Sequence, residues 1–165
     1  MAKSQKKRII PDGATAVASN RRARRDYDIL DTLEVGIQLR GSEVKSLRES
    51  KVQLAEAFAL VYQNELWLIG LHIAPYSHSS GAFGHENDRR RKLLAHRAEI
   101  ERWSARLDRE NLTIVPLSLY FKDGRAKLEI ALGRGKAQVD RRHDIAKRDA
   151  DREAERAMSR RSGKD

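Results

Sequence analysis

The sequence contains no cysteine, which excludes disulfide staples and thiolate metal sites and suits a reducing cytosol. Only 5% of the chain is aromatic, little more than a core consumes, which argues against a stacking platform for single strands. No run approaches the ~18 apolar residues of a membrane-spanning helix. The start, "MAKSQKKRIIPDG", lacks the apolar stretch of a signal peptide and reads as a flexible basic arm. Acidic residues are also in deficit. Against 34 Lys and Arg stand 24 Asp and Glu, a net charge of +10 with a pI near 10.1. So large an excess calls for a polyanionic partner, because Lys and Arg on phosphates release condensed counterions.

The 165 residues suffice for one domain with a core and an appended segment. Composition divides them into a basic N-terminal arm (1–19), a domain (20–135) holding almost all the large apolar residues, and a basic tail (136–165). The domain reads mainly as strands. "YDILDTLEVGIQL" alternates at Ile29 and again at Leu33, Val35, Ile37 and Leu39. "AFALVYQNELWLIGLHI" is two strands about a tight turn near Gln63–Asn64–Glu65. "LTIVPLSLYFKDGRAKLEIALGRG" is a hairpin whose Asp123–Gly124 suits a type I′ turn, with Pro116 at an edge or a bulge. A short helix is expected with Ser42 as N-cap, and a longer one from about Asp88 to Arg109 with Leu93, Ile100, Trp103 and Leu107 on one face. Five or six strands with two or three helices predict a mainly β fold, a small closed OB-like barrel.

Catalytic signatures are missing. His72, His78, His85, His96 and His143 show no metal-ligand spacing, and no nucleophile elbow occurs. No metal, cofactor or catalytic residue is expected. "GRGK" (Gly133–Lys136) has Ala137 where a P-loop has its hydroxyl, so it is no triphosphate site, though such a turn could hold an RNA phosphate. The basic clusters carry more weight: Arg21, Arg22, Arg24 and Arg25 before the first strand, Lys45 and Arg48 on the first helix, "DRRRK" (Asp88–Lys92) opening the second, with Lys127, Arg134 and Lys136 beyond. Together they favour folded RNA recognised through phosphates and shape. A structural ribosomal or ribosomal-RNA-binding protein shares these electrostatics, and a small nuclease is a weaker rival.

Several strings occur together in an order that resembles the SsrA-binding protein (small protein B) family: "NRRARRDY", "LEVGIQLRGSEVKSLR", "LHIAPY", "RKLLAHRAEI", "LTIVPLSLYFKDGRAKLEIALGRGK" and "DIAKRDADRE", from about Ala14 to Met158. The resemblance implies an OB-like, non-enzymatic, cytoplasmic and monomeric adaptor of trans-translation. It would bind the tRNA-like domain of transfer-messenger RNA and carry it to ribosomes stalled on truncated messages. It implies RNA contacts at Asn20, Arg21, Arg24, Glu34, Glu43, Lys45 and Lys127, to which the basic clusters add Arg22, Arg48, Arg134, Gly135 and Lys136. Glu34 and Glu43 cannot pair phosphates, and for Glu43 a helix first-turn carboxylate is the alternative role. In the tail, Asp140, Arg141, Arg142, Lys147, Arg148 and Met158 would meet the small-subunit decoding centre and the empty message channel.

The chain departs from the family pattern at Gly84 and Asn87 before "RKLL", at Val139 beside Asp140, at Ala150 where Trp is common, and at Ala157. The tail has i,i+3 pairs such as Asp144 with Lys147, and many alanines, but only an Ala146–Ala150–Ala154 stripe to bury. Such pairs cannot offset about 1 kcal/mol of backbone entropy per residue. The expectation is a tail disordered when free and helical on the ribosome.

Overall fold

The computed structural model describes residues 10–76, 86–136 and 138–162, with side chains described as far as 136 and again from 145 to 159. Residues 1–9 of the basic arm, and Gly84, His78 and His85, lie outside the described residues. Among the described residues nine strands and four helices follow in the order β1 (Thr15–Ser19), α1 (Arg21–Asp26), β2 (Tyr27–Ile37), α2 (Gly41–Arg48), β3 (Val52–Gln53), β4 (Phe58–Tyr62), β5 (Glu65–Ile69), β6 (His72–Ile73), β7 (Arg91–Leu94), α3 (Arg97–Glu110), β8 (Thr113–Lys122), β9 (Arg125–Gly135) and α4 (Gln138–Ser162).

The fold is mainly β. Its principal sheet runs β1-β8-β4-β5-β7-β2-β9, and β9 pairs back to β8, so six strands form a hydrogen-bonded ring with β1 outside it. The core lies within this ring. Val35, Leu47, Leu68, Leu93, Trp103, Leu119, Leu128 and Ile130 are each at most 2% exposed. Each such side chain contributes about 1.5–3 kcal/mol by leaving water.

The two hairpin turns form as their residues require. Asp123 and Gly124 both have positive φ, as do Gln63 and Asn64, which is the type I′ condition. Pro116 sits at a register shift between β8 and β9, where its missing N–H costs no ladder bond. A second shift, between Ile29 and Asp31, divides β2. Leu33, Val35 and Ile37 serve the main core, whereas Ile29 joins a small cluster of Ala23, Val115, Leu117 and Ala131 beneath α1. The alternation from Ile29 to Leu39 therefore does not describe one continuous face, and regular strand ends at Ile37.

Four sequence expectations need correction. Residues 91–94 are a strand and not the opening of a helix, because Leu93 pairs across to Leu66 and Ile37 and completes the ring. The long helix starts at Arg97, where Glu99 accepts from the His96 N–H at 3.0 Å. Ile100, Trp103 and Leu107 do face the core together. The N-cap of α2 is Arg40, not Ser42, because Glu43 at N3 accepts from the Arg40 N–H at 2.8 Å and fixes the start. Thr15–Ser19, within the stretch read as a flexible arm, is a strand antiparallel to β8. Finally, the tail expected as coil in the free protein is a helix here. Its described side chains, Ile145 to Ser159, are all exposed, and its principal contact with the domain is α1.

Candidate RNA interface

The proposed contact residues fall at two ends of the β2–β9 ribbon. At one end Tyr27 pairs with Gly135, and at the other Gly36 pairs with Lys127. Nine residues of strand at roughly 3.3 Å each separate the ends by about 30 Å.

The first end is built on α1. Asn20 is 8% exposed, and its Oδ1 accepts from the Ala23 N–H at 3.3 Å while its Nδ2 donates to the Pro116 carbonyl at 3.1 Å. The Asn20 amide thus caps α1 and ties it to β8, so its place is that of an anchor for the cations. Arg21, Arg22 and Arg24 project into solvent from the other side of the helix, with Arg22 3.5 Å from Glu56. Arg134 and Gly135 are exposed beside them on β9. Lys136 is more committed. Its N–H donates to the Asp26 carbonyl at 2.9 Å, and its Nζ reaches the Arg24 carbonyl at 3.5 Å and Asp28 at 3.8 Å. "GRGK" is therefore mostly strand and no phosphate-cradling loop. A Cβ at Gly133 would come 3.0 Å from that of Tyr27, which accounts for that glycine.

The second end is a patch on the outer face of the sheet. Glu34 points away from the core, as the alternation with Leu33 and Val35 requires. Its carboxylate accepts from the Tyr120 hydroxyl, with Lys122 Nζ 3.7 Å away. Tyr120 is 1% exposed. Burial pushes its phenol pKa up, and the hydrogen bond to Glu34 and the charge of Glu129 push it further, so the hydroxyl stays a donor. This holds Glu34 in place although Glu129 stands directly across from it. Lys122, Asp123, Arg125 and Lys127 line a shallow hollow with Glu34. Beside it opens a groove of about 820 Å³ whose walls include Glu34, Lys127, Lys92, His96 and Arg97. Such a site offers cations for phosphates next to an acceptor for base or 2′-hydroxyl donors.

On α2, Lys45 and Arg48 are exposed, with the Lys45 ammonium 5.4 Å from the Tyr76 ring centre and the Arg48 guanidinium 4.6 Å from that of Phe121. These are cation–π distances, and they hold both charges out on defined supports. Glu43 is different. It is fully buried, with Arg91 Nε donating at 2.6 Å and Arg89 Nε at 3.2 Å. Burial raises its pKa, but hydrogen bonds from Arg89, the Arg40 N–H and Arg91 outweigh that and hold it below the usual carboxylate value. Glu43 lies in the first turn of α2 and fastens that helix to β7. Arg91, likewise fully buried, donates also to the Leu71 carbonyl at 2.7 Å.

Val139, Asp140, Arg141, Arg142, Lys147, Arg148 and Met158 all lie within α4, and Met158 is 72% exposed. Asn87 accepts from the Ile73 N–H at 3.0 Å and from Arg91 at 3.1 Å through its carbonyl, so any residue type with a free carbonyl serves there. The sequence reading missed Tyr120, Lys122 and Arg125. For the two cations the hairpin parity with Lys127 was an available signal.

Comparison with known proteins places the chain in a family. A profile of the SmpB protein family covers residues 17–160. An SsrA-binding protein of Frankia casuarinae is 52% identical over 150 residues, spanning 91% of this chain and 94% of that protein. One from Saccharopolyspora erythraea is 49% identical over 165 residues, 99% of each. A solved structure described as "tmRNA-SmpB: a journey to the center of the bacterial ribosome" superposes with a TM-score of 0.61 at 47% identity, covering 73% of this chain and 85% of that one. With nearly its whole length matched, the chain belongs to the SmpB protein family.

Proposed function

We propose that this protein is the RNA-binding adaptor of trans-translation: it binds the tRNA-like domain of transfer-messenger RNA and brings it to stalled ribosomes. The observation that carries the reading is the second end of the ribbon. Residues singled out from separate motifs, Glu34 and Lys127, line one groove, with further cations around it. Binding would rest on phosphate contacts from Lys127, Lys122 and Arg125, and on Lys45 and Arg48 from α2, with Glu34 as the acceptor that selects RNA donors. Asn20 and Glu43 act behind this surface, holding α1 and α2. The ring of six strands is taken as an OB-like barrel. The protein performs no chemistry of its own and works in the cytoplasm; no described helix is long and apolar enough to cross a membrane.

The other end adds phosphate contacts to the same RNA and carries the tail to the ribosome. Arg21, Arg24 and Arg134 stand where α4 leaves the domain, and α4, helical but with its described side chains exposed, is suited to a phosphate-lined channel. Residues 138–162 would lie in the empty message channel, with Asp140, Arg141 and Arg142 near the decoding centre.

Purifying the protein from its cells and sizing the RNA that comes with it tests the reading. One dominant species with a tRNA-like end is expected, and intact ribosomal RNA in its place would overturn it. A stop after Lys136 should leave RNA binding within a few-fold of the full chain yet abolish tagging of nascent chains.

A further inference from the structure

The outer face of the β4–β5 hairpin carries large apolar side chains away from the core. Cross-strand partners share a face. The registers Phe58↔Ile69, Leu60↔Trp67 and Tyr62↔Glu65 therefore put Phe58, Leu60, Tyr62, Trp67 and Ile69 on one side. Their alternates Ala59, Leu66 and Leu68 fill the core. Phe58 is 42% and Tyr62 56% exposed, and the Trp67 ring is half-buried between them. Two cations border the patch. The Arg90 guanidinium lies 5.8 Å from the Trp67 ring centre, and Lys92 pairs directly across from Trp67 on β7. The indole Nε1 is itself buried and has no hydrogen-bond partner among the described residues, so the exposed part of Trp67 is its ring.

We propose that this face stacks unpaired bases of the RNA held in the adjoining groove. The inference rests on the RNA-binding reading above and extends it to a second kind of contact. Continuity is the first argument, since Glu65, Lys92 and Leu94, strand neighbours of the patch, are also walls of the groove that holds Glu34 and Lys127. Charge is the second. Aromatic rings interleaved with Arg and Lys suit a ligand that offers flat π-faces on an anionic backbone. A second copy of this chain is a poor occupant, because Lys92 is already paired with Glu65 at 2.8 Å and isologous pairing would bring Arg90 against its own equivalent. A paired helix is equally poor, since its bases are already stacked. The groove then reads backbone, while the aromatic face takes loop bases and tolerates changes in their sequence.

The full-length protein carrying Trp103→Phe leaves Trp67 as the sole indole. Titration with a stem-loop RNA should quench its emission saturably, whereas a blunt duplex of the same length should not. In the native sequence, Tyr62→Ala should weaken stem-loop binding about tenfold, the lower range for loss of one stacked base, and leave duplex binding unchanged. Equal quenching by both RNAs, or unchanged stem-loop affinity in Tyr62→Ala while Lys127→Ala loses it, overturns the stacking face and leaves the groove reading intact. Failure of the unmodified protein to bind either RNA removes both. Self-association that Tyr62→Ala abolishes would assign the face to a second copy and also overturn the proposal.

Discussion

Residues 21–25 read RRARR and residues 88–92 read DRRRK, and composition alone gives them the same role. The first stretch becomes α1, capped by Asn20, with only Ala23 turned inward and its arginines largely in water. The second runs into β7, where Arg91 is fully buried against Glu43, Arg89 shares the same carboxylate and, of the four cations, Arg90 is the exposed one. What separates them is a carboxylate on another element. A buried guanidinium needs its charge and its donors matched, and Glu43 with the carbonyls of Leu71, Arg89 and Asn87 does so. On α1 Arg22 meets Glu56 only in an exposed pair at 3.5 Å, so the charge of Arg21 and Arg24 remains available to a ligand.

The sharpest way to break the contrast is to remove one arginine from each stretch. Arg91→Ala leaves Glu43 buried with two of its three partners, Arg89 and the Arg40 N–H, and should cost about 3–5 kcal/mol in urea unfolding. Arg21→Ala should leave the unfolding midpoint where it was and lower RNA affinity instead. Acid offers the same test without touching the arginines. Glu43 titrates below its ordinary value in the folded protein, so its contribution is complete above the usual carboxylate range and is lost as pH falls through the folded pKa. The melting temperature should therefore drop through that acid limb, and Glu43→Gln, less stable at neutral pH, should show a flatter one.

Smaller effects sharpen the comparison from the α1 side. Asn20→Ala removes the cap and the tie to β8, and should cost about 1–2 kcal/mol by chemical denaturation, with RNA affinity falling as the α1 arginines lose their support. Smallest are the exposed cations themselves. Arg24→Ala, Lys45→Ala and Lys127→Ala should each reduce the slope of log affinity against log salt by about one unit or less, measured by filter binding. Arg90→Ala, from the other stretch, should behave as they do, whereas Arg91→Ala should act on stability.

Much of the fold was legible where the signal is local. Asp123–Gly124 announces its turn because both residues accept positive φ, and Leu33, Val35 and Ile37 show their face by alternation. Residues 91–94 were not legible as strand because Leu93 gains its partners from Leu66 and Ile37, far away in sequence, while its spacing to Ile100 also fits a helix. Strand β1 was hidden by small, weakly patterned residues whose order comes from pairing with β8. In the site, Glu34 and Lys127 were placed by motif, and the alternation of Leu33 with Val35 sends Glu34 outward. Tyr120 reads as a core aromatic, which it is, and nothing local shows that its hydroxyl ends on Glu34 of another strand. The low aromatic content argues against stacking, and the aromatic face of β4–β5 was not legible because both alternating sets there, Ala59, Leu66 and Leu68 as well as Phe58, Leu60 and Trp67, are apolar.

The helix that leaves the domain starts just past the end of β9, and β9 is hydrogen-bonded to β2 on one side and to β8 on the other along most of its length. Antiparallel hydrogen bonds lie across the strand direction. A pull along the strand axis therefore loads both ladders in shear, so many bonds must yield together, whereas peeling a hairpin end would open them one by one. The tail is attached like a cable cast into the middle of a beam, and tension on it reaches the hairpin bearing Lys127 as a displacement of the whole ribbon.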